Sequence, residues 1–175
     1  MCFFVSVLMH AELKWITPTP AELSMTAEPK APGAPAIVLS YEETDDANTF
    51  ETIIHARIKI LTLGGLSAGN IELPRRLVDS DYFDQNIFAR TIHPNGTIIP
   101  FVRSTQNTAN TQDDASSNTV ISLPSVEVGS ILEYIFHFEV RFMYTEQLLS
   151  SYAPVWNAQR KYFMRSAHFR LNAPE

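Results

Sequence analysis

The sequence predicts an all-β fold, an antiparallel β-sandwich of about seven to eight strands with a short N-terminal helix. Three observations lead there. Long runs alternate apolar and polar residues with a period of two, the plainest being SILEYIFHFEVRFM at 130–143. Gly, Pro and Asn gather between these runs, as tight turns require. The chain has 175 residues, 45% of them hydrophobic, enough to close two sheets around one core without metals or disulfides.

Taken in order, the chain opens on CFFVSVLM, an apolar run of eight, well short of the ~20 residues that cross a bilayer. No positive charge precedes it, so it is either the end of a secretory leader whose start is missing or a first strand. Cys2 is the single cysteine, which rules out an internal disulfide and leaves the compartment open on that count. In TPTPAEL, Thr19 caps a helix with Pro20 at its first position and Glu22 reaching back to the cap. Pro29, Pro32 and Pro35 keep that helix short and make EPKAPGAP an extended connection.

From Ala36 the two-residue period takes over. AIVLSYE places Ile37, Leu39 and Tyr41 on one face. TIIHARIKILT points Ile54, Ala56, Ile58 and Ile60 one way and His55, Arg57 and Lys59 the other. RTIHPNGTIIPF, residues 90–101, reads as a hairpin. Pro94 and Asn95 suit a type I turn that closes on a glycine bulge at Gly96, and Pro100 confines the second run to a sheet edge. Asn95-Gly96-Thr97 also fits the glycosylation acceptor pattern, although turn chemistry accounts for all three residues.

STQNTANTQDDASSN, residues 104–118, predicts a mobile polar loop. TVISLP is a short strand that stops at Pro124, and Val128-Gly129 is the turn that launches the longest strand. That strand carries Leu132, Tyr134, Phe136, Phe138, Val140 and Phe142 on its apolar side, with Glu133, His137, Glu139 and Arg141 opposite. At ~3.4 Å per residue it would run about 45 Å, so a bend or bulge is expected within it. The last strand sets Ala167, Phe169 and Leu171 against Ser166, His168 and Arg170.

The formal charge of −6 argues against nucleic acid as a partner, because binding phosphates needs a basic surface. The charge is uneven. Residues 12–51 hold eight carboxylates and two lysines, whereas Arg160, Lys161, Arg165 and Arg170 lie in an acid-free stretch. The expectation is that this basic stretch neutralises the acidic half within the fold; the alternative is an acidic partner.

Catalytic, cofactor and metal residues are all expected to be none. Cys2 lies at an apolar terminus with no histidine beside it, and no G-x-S-x-G elbow occurs. Glu133, His137 and Glu139 share a strand face, the last two ~7 Å apart, close enough in principle to grip one ion. Arg141 opposes a cation there, and the reading preferred is a solvated face whose carboxylates pair with Arg57 and Lys59 across strands. Asp79, Asp81 and Asp84 in DSDYFD lack the glycine and distal glutamate of a calcium loop. Tyr82, Phe83, Tyr152, Trp156, Tyr162 and Phe163 could form a platform for sugar or peptide, with core packing as the default.

Six pieces in order carry a family resemblance: W-x-x-x-x-P-A-E-L-S-M from Trp15, A-P-A-I-V-L from Ala34, R-I-K-I-L-T from Arg57, R-T-I-H-P-N-G-T-I from Arg90, L-P-S-V-E-V-G-S-I-L-E-Y from Leu123 and W-N-A-Q-R-K-Y-F-x-R-x-A-H-F-x-L from Trp156. Over residues 15–171 the chain resembles the bacterial family of unknown function that forms the N-terminal β-domain of exported, transglutaminase-like proteins. The resemblance implies that residues 1–11 are the remnant of a signal peptide and that 15–172 form a single β-sandwich domain, cut short at its C-terminal end. It implies export to the periplasm or cell envelope. It also implies a papain-like Cys-His-Asp module following in cis in relatives, with no residue here aligning to that core. The polar loop at 104–118 departs from the family, whose members are more strand-like there. The expected function is a non-catalytic accessory or binding domain beside such a module. The alternative is a free-standing β-sandwich that binds a peptide or glycan.

Overall fold

The computed structural model describes residues 14–49, 51–73, 83–102, 108–109, 119–140, 156 and 161–173. The readings made for Cys2 and the leader run, Asp79, Asp81, Tyr82, Phe142, Tyr152 and Arg160 lie outside these residues. A four-residue helix, α1 (Pro20–Leu23), is followed by β1 (Ala36–Asp46), β2 (Glu51–Ile60), a 3-10 turn (Leu63–Gly69) and β3 (Asn70–Leu73). Next come β4 (Phe83–Ile92), β5 (Ile98–Pro100), β6 (Thr108–Ala109), β7 (Thr119–Ser122), β8 (Ile131–Val140), β9 (Phe163–Met164) and β10 (Ala167–Asn172).

The strands form two sheets. The larger runs β10-β1-β2-β8-β4-β5, with β9 also on β1; the smaller runs β3-β7-β6. Ile60, Ala89, Leu132 and Phe136 of the large sheet share one core with Ile71 and Ile121 of the small one, which is the two-layer arrangement expected of a sandwich. Ten strands are described rather than seven or eight, because β3, β6 and β9 are short pieces without a strong alternation of their own. The pairings of β10 and β9 with β1 are parallel while the others are antiparallel, so the large sheet is mixed.

The long alternating runs behave as their period dictates. β2 and β8 pair without a break from Glu51↔Glu139 to Lys59↔Ile131, and β4 and β8 from Phe83↔Val140 to Ile92↔Ile131. The bulge expected in β8 is therefore absent from its described part and occurs in β1 instead. Val38 pairs with Ile58 but Ser40 with Arg57, leaving Leu39 as the extra residue. An inserted residue reverses the facing of everything beyond it. Tyr41 accordingly clusters with Val38 and Ala56, while Ile37 and Leu39 pack with Ile92 and Ile131 on the opposite side. This corrects the expectation that Ile37, Leu39 and Tyr41 share a face.

The hairpin forms as its residues require. The His93 carbonyl accepts from the Gly96 amide, and the His93 amide donates to Thr97 O, both at 2.9 Å. Gly96 has φ +85°, a conformation open to glycine at little cost. β5, with Pro100, lies at the sheet edge. Within the stretch read as a polar loop, Thr108–Ala109 form β6 against β7; the rest of that stretch lies outside the described residues.

Candidate functional site

The second face of the large sheet is where chemistry gathers. β2 presents His55, Arg57 and Lys59 on it, because residues two apart share a face. Register sets Glu133 of β8 directly between Arg57 of β2 and Arg90 of β4. A two-layer sandwich would leave these groups in water. Instead Arg57 is 4% exposed, Lys59 0% and Glu133 0%, because the segment Trp15–Met25 crosses above them as a strap. The reading of a solvated face with Glu133 paired to Arg57 and Lys59 is thereby corrected.

The strap is shaped by its own sequence. Thr19 caps α1 with its hydroxyl accepting from the Glu22 amide, while the Glu22 carboxylate accepts from the Thr19 amide at 2.7 Å. This is the reciprocal arrangement foreseen from the spacing. The same carboxylate takes a bidentate pair from Arg57, at 2.7 and 3.2 Å. Burial alone would raise the Glu22 pKa, but hydrogen bonds from Arg57 and Thr19 outweigh it and hold the carboxyl below its ordinary value.

Glu133 collects four donors. The Ile16 amide and His55 Nε2 reach Oε1 at 2.9 and 2.8 Å, and Arg90 Nε and Nη2 reach Oε2 at 2.8 and 2.6 Å. Arg90 Nη2 also donates to the Ile16 carbonyl at 2.9 Å, and its guanidinium lies 4.6 Å from the centre of the Trp15 ring. Burial penalises the Glu133 carboxylate, yet His55, the Ile16 amide and Arg90 overcome this and lower its pKa. Lys59 Nζ donates to the Leu23 carbonyl at 2.9 Å and to the Gly129 carbonyl. Burial lowers its pKa, with the charge of Glu22 acting in the opposite sense.

Other assigned residues turn out to serve packing or pairing. His137 Nε2 lies 3.4 Å from Glu51 Oε1, so Glu133 and His137 turn to different partners, and the Glu139 side chain lies outside the described residues. Tyr162 packs, partly buried, against the inter-sheet core and Phe163 against the strap-side cluster, in keeping with core packing as the default for these aromatics. Trp156 stacks on Phe169 with ring centres 5.6 Å apart. Arg165 bonds Glu28 at 2.5 Å, in keeping with a basic tail that neutralises acids of the same chain. The Lys30 amide and Arg165 together hold Glu28 below the usual carboxylate range.

Sequence reasoning missed the burial of Glu133. The available signal was three cations on one strand face, His55 counted among them when protonated, with a cap-and-tryptophan segment free to cover them. Among the described residues, no serine, threonine or cysteine side chain is hydrogen-bonded to His55, whose Nε2 meets Glu133 Oε1 instead. No helix of the described residues is long and apolar enough to cross a membrane.

Comparison with known proteins gives a family without an activity. No curated protein matches the chain. One solved structure, of a presumed protease from Parabacteroides distasonis, shares 14% identity at a TM-score of 0.47 over 61% of this chain. The alignment spans 23% of that protein, and the likeness is too slight to carry an argument. A family profile matches residues 46–175, most of the chain. The chain belongs to the DUF3857 family, a domain of unknown function with a solved structure.

Proposed function

We propose that this is a non-catalytic accessory or binding β-domain that works beside a transglutaminase-like module of the papain-like Cys-His-Asp type, in a protein exported to the periplasm or cell envelope. The observation that supports it is where the buried charges point. Arg90, Arg57 and Lys59 donate hydrogen bonds to the strap and Glu133 accepts one from it, so the most polar part of the sheet serves recognition of a polypeptide segment. The resemblance of the ordered sequence pieces supplies the context. The test is a binding assay between this domain and the cognate catalytic module. Saturable association in the micromolar range is expected, and a folded module that ignores the domain at high micromolar concentration counts against the reading.

A second reading, a free-standing β-sandwich that binds peptide, is favoured by the way the strap is seated. Its glycan version is weakened by the packing of Tyr162 and Phe163 into the two cores. Peptide and glycan arrays separate the two.

A further inference from the structure

We propose that the β2–β8–β4 face is a binding groove for a peptide segment that carries a carboxylate, and that Trp15–Met25 is an intrinsic, displaceable occupant of it. The inference rests on the binding half of the reading above and needs no catalytic module.

The strap is held as a ligand would be. It contributes no strand to either sheet. Sheet side chains read its backbone at two places, Ile16 through Glu133 and Arg90 and Leu23 through Lys59. They read its side chains at two more, Trp15 through Arg90 and Glu22 through Arg57. Backbone contacts give affinity for any extended chain, and side-chain contacts between them give selectivity. The charge is complementary: Arg57, Lys59 and Arg90 face Glu22 and Glu133, leaving one cation in excess. Lys59, the excess cation, is satisfied by two carbonyls rather than a carboxylate.

The seat is also under-filled. Arg57 Nε is buried and has no acceptor, although a guanidinium can use five donors. A segment bringing one more carboxylate or carbonyl oxygen to Arg57 would fit better than the strap does. Departure of the strap leaves the inter-sheet core covered, because only Leu23 and Met25 of the strap enter an apolar cluster, and that cluster lies on the other face. The exposed guanidinium and ammonium groups regain water when the strap leaves, which offsets much of the interaction lost. Behind the strap, the stretch read as an extended connection instead folds into two hydrogen-bonded turns, with the Ala31 amide donating to the Glu28 carbonyl and the Ala34 amide to the Ala31 carbonyl. These turns and the Glu28–Arg165 pair keep the strap's C-terminal end anchored if its N-terminal part leaves.

A fluorescent peptide of residues 14–26, KWITPTPAELSMT, titrated onto the full chain tests this by polarisation. Saturable binding to the wild-type chain is expected. Binding should be about tenfold weaker for the peptide carrying Glu22→Gln, through loss of the charge-assisted pair with Arg57. In the converse arrangement, a chain carrying Glu22→Gln holds its own strap less well and should bind the unmodified peptide about tenfold more tightly. No saturable binding to either chain at about 1 mM peptide, or binding indifferent to the peptide's Glu22, overturns the proposal. Should the substituted chain fold poorly, the two peptides on the wild-type chain decide alone. Failure here leaves the catalytic-module assay untouched, and the reverse holds as well.

Discussion

Glu133 and Arg57 stand opposite each other across β8 and β2, yet their side chains part: Glu133 turns to His55 and Arg90, and Arg57 turns to Glu22 of the strap. The sheet neutralises only part of its own charge: Arg90 pairs with Glu133 inside it, and Arg57 is left to the strap. The N-terminal segment supplies the carboxylate for Arg57 and a carbonyl for Lys59, so stability and strap docking are one problem here.

Replacing Glu133 by Gln should destabilise the fold by about 3 kcal/mol, because Arg90 is left as a largely buried cation without its counter-charge. Urea denaturation of the wild type and variant measures this. A difference under about 1 kcal/mol would mean that the pair behaves as a surface ion pair.

Acid should weaken the protein through the same carboxylate. Glu133 has a folded pKa below its ordinary 4.5, so near that pH the folded chain binds fewer protons than the unfolded one. Its contribution is therefore full above the ordinary value and is lost as pH falls through the lower, folded one. Glu22 acts in the same direction. The urea midpoint should drop between about pH 5.5 and pH 3, and drop less in the Glu133→Gln variant; equal slopes would remove Glu133 from the account.

Thr19→Ala removes the cap of α1 and should cost about 1 kcal/mol. Because the cap also orients Glu22 towards Arg57, the loss should spread along the strap. Hydrogen exchange at the Ile16 amide, which is bonded to Glu133, should accelerate along with that of α1. Protection retained at Ile16 would confine the effect to the helix.

Gly96→Val should cost about 1–2 kcal/mol from backbone conformation alone, since a Cβ at Gly96 meets nothing within 4 Å. Gly129→Ala should cost more. It too has positive φ, +90°, and its Cβ would lie 2.7 Å from Pro94 Cγ. Comparing the two melting temperatures separates strain from collision, and equal losses would show that Pro94 moves aside freely.

Much of the architecture was legible in the residues. Alternation placed Ile54 to Ile60 and Leu132 to Phe138, Thr19 and Glu22 announced the cap, and Asn95-Gly96 announced the hairpin. These signals are local, and the structure obeys them. What escaped is non-local. Nothing near Leu39 marks it as the bulged residue, because the bulge is defined by its partner strand. No short-range pattern tells β10 to lie parallel to β1. The charged face was misjudged for the same reason: whether Glu133 is wet or dry depends on a strap more than one hundred residues away in sequence.

The parallel seam between β1 and β10, from Tyr41↔Ala167 to Asp46↔Asn172, bears on how the molecule is made. A ribosome releases the first of these strands long before the last, so during synthesis β1 offers a bare flank to any passing chain. Glu42, Glu43, Asp45 and Asp46 all fall within the stretch of β1 that β10 covers, and a concentration of like charge on an uncovered strand disfavours its pairing with another copy.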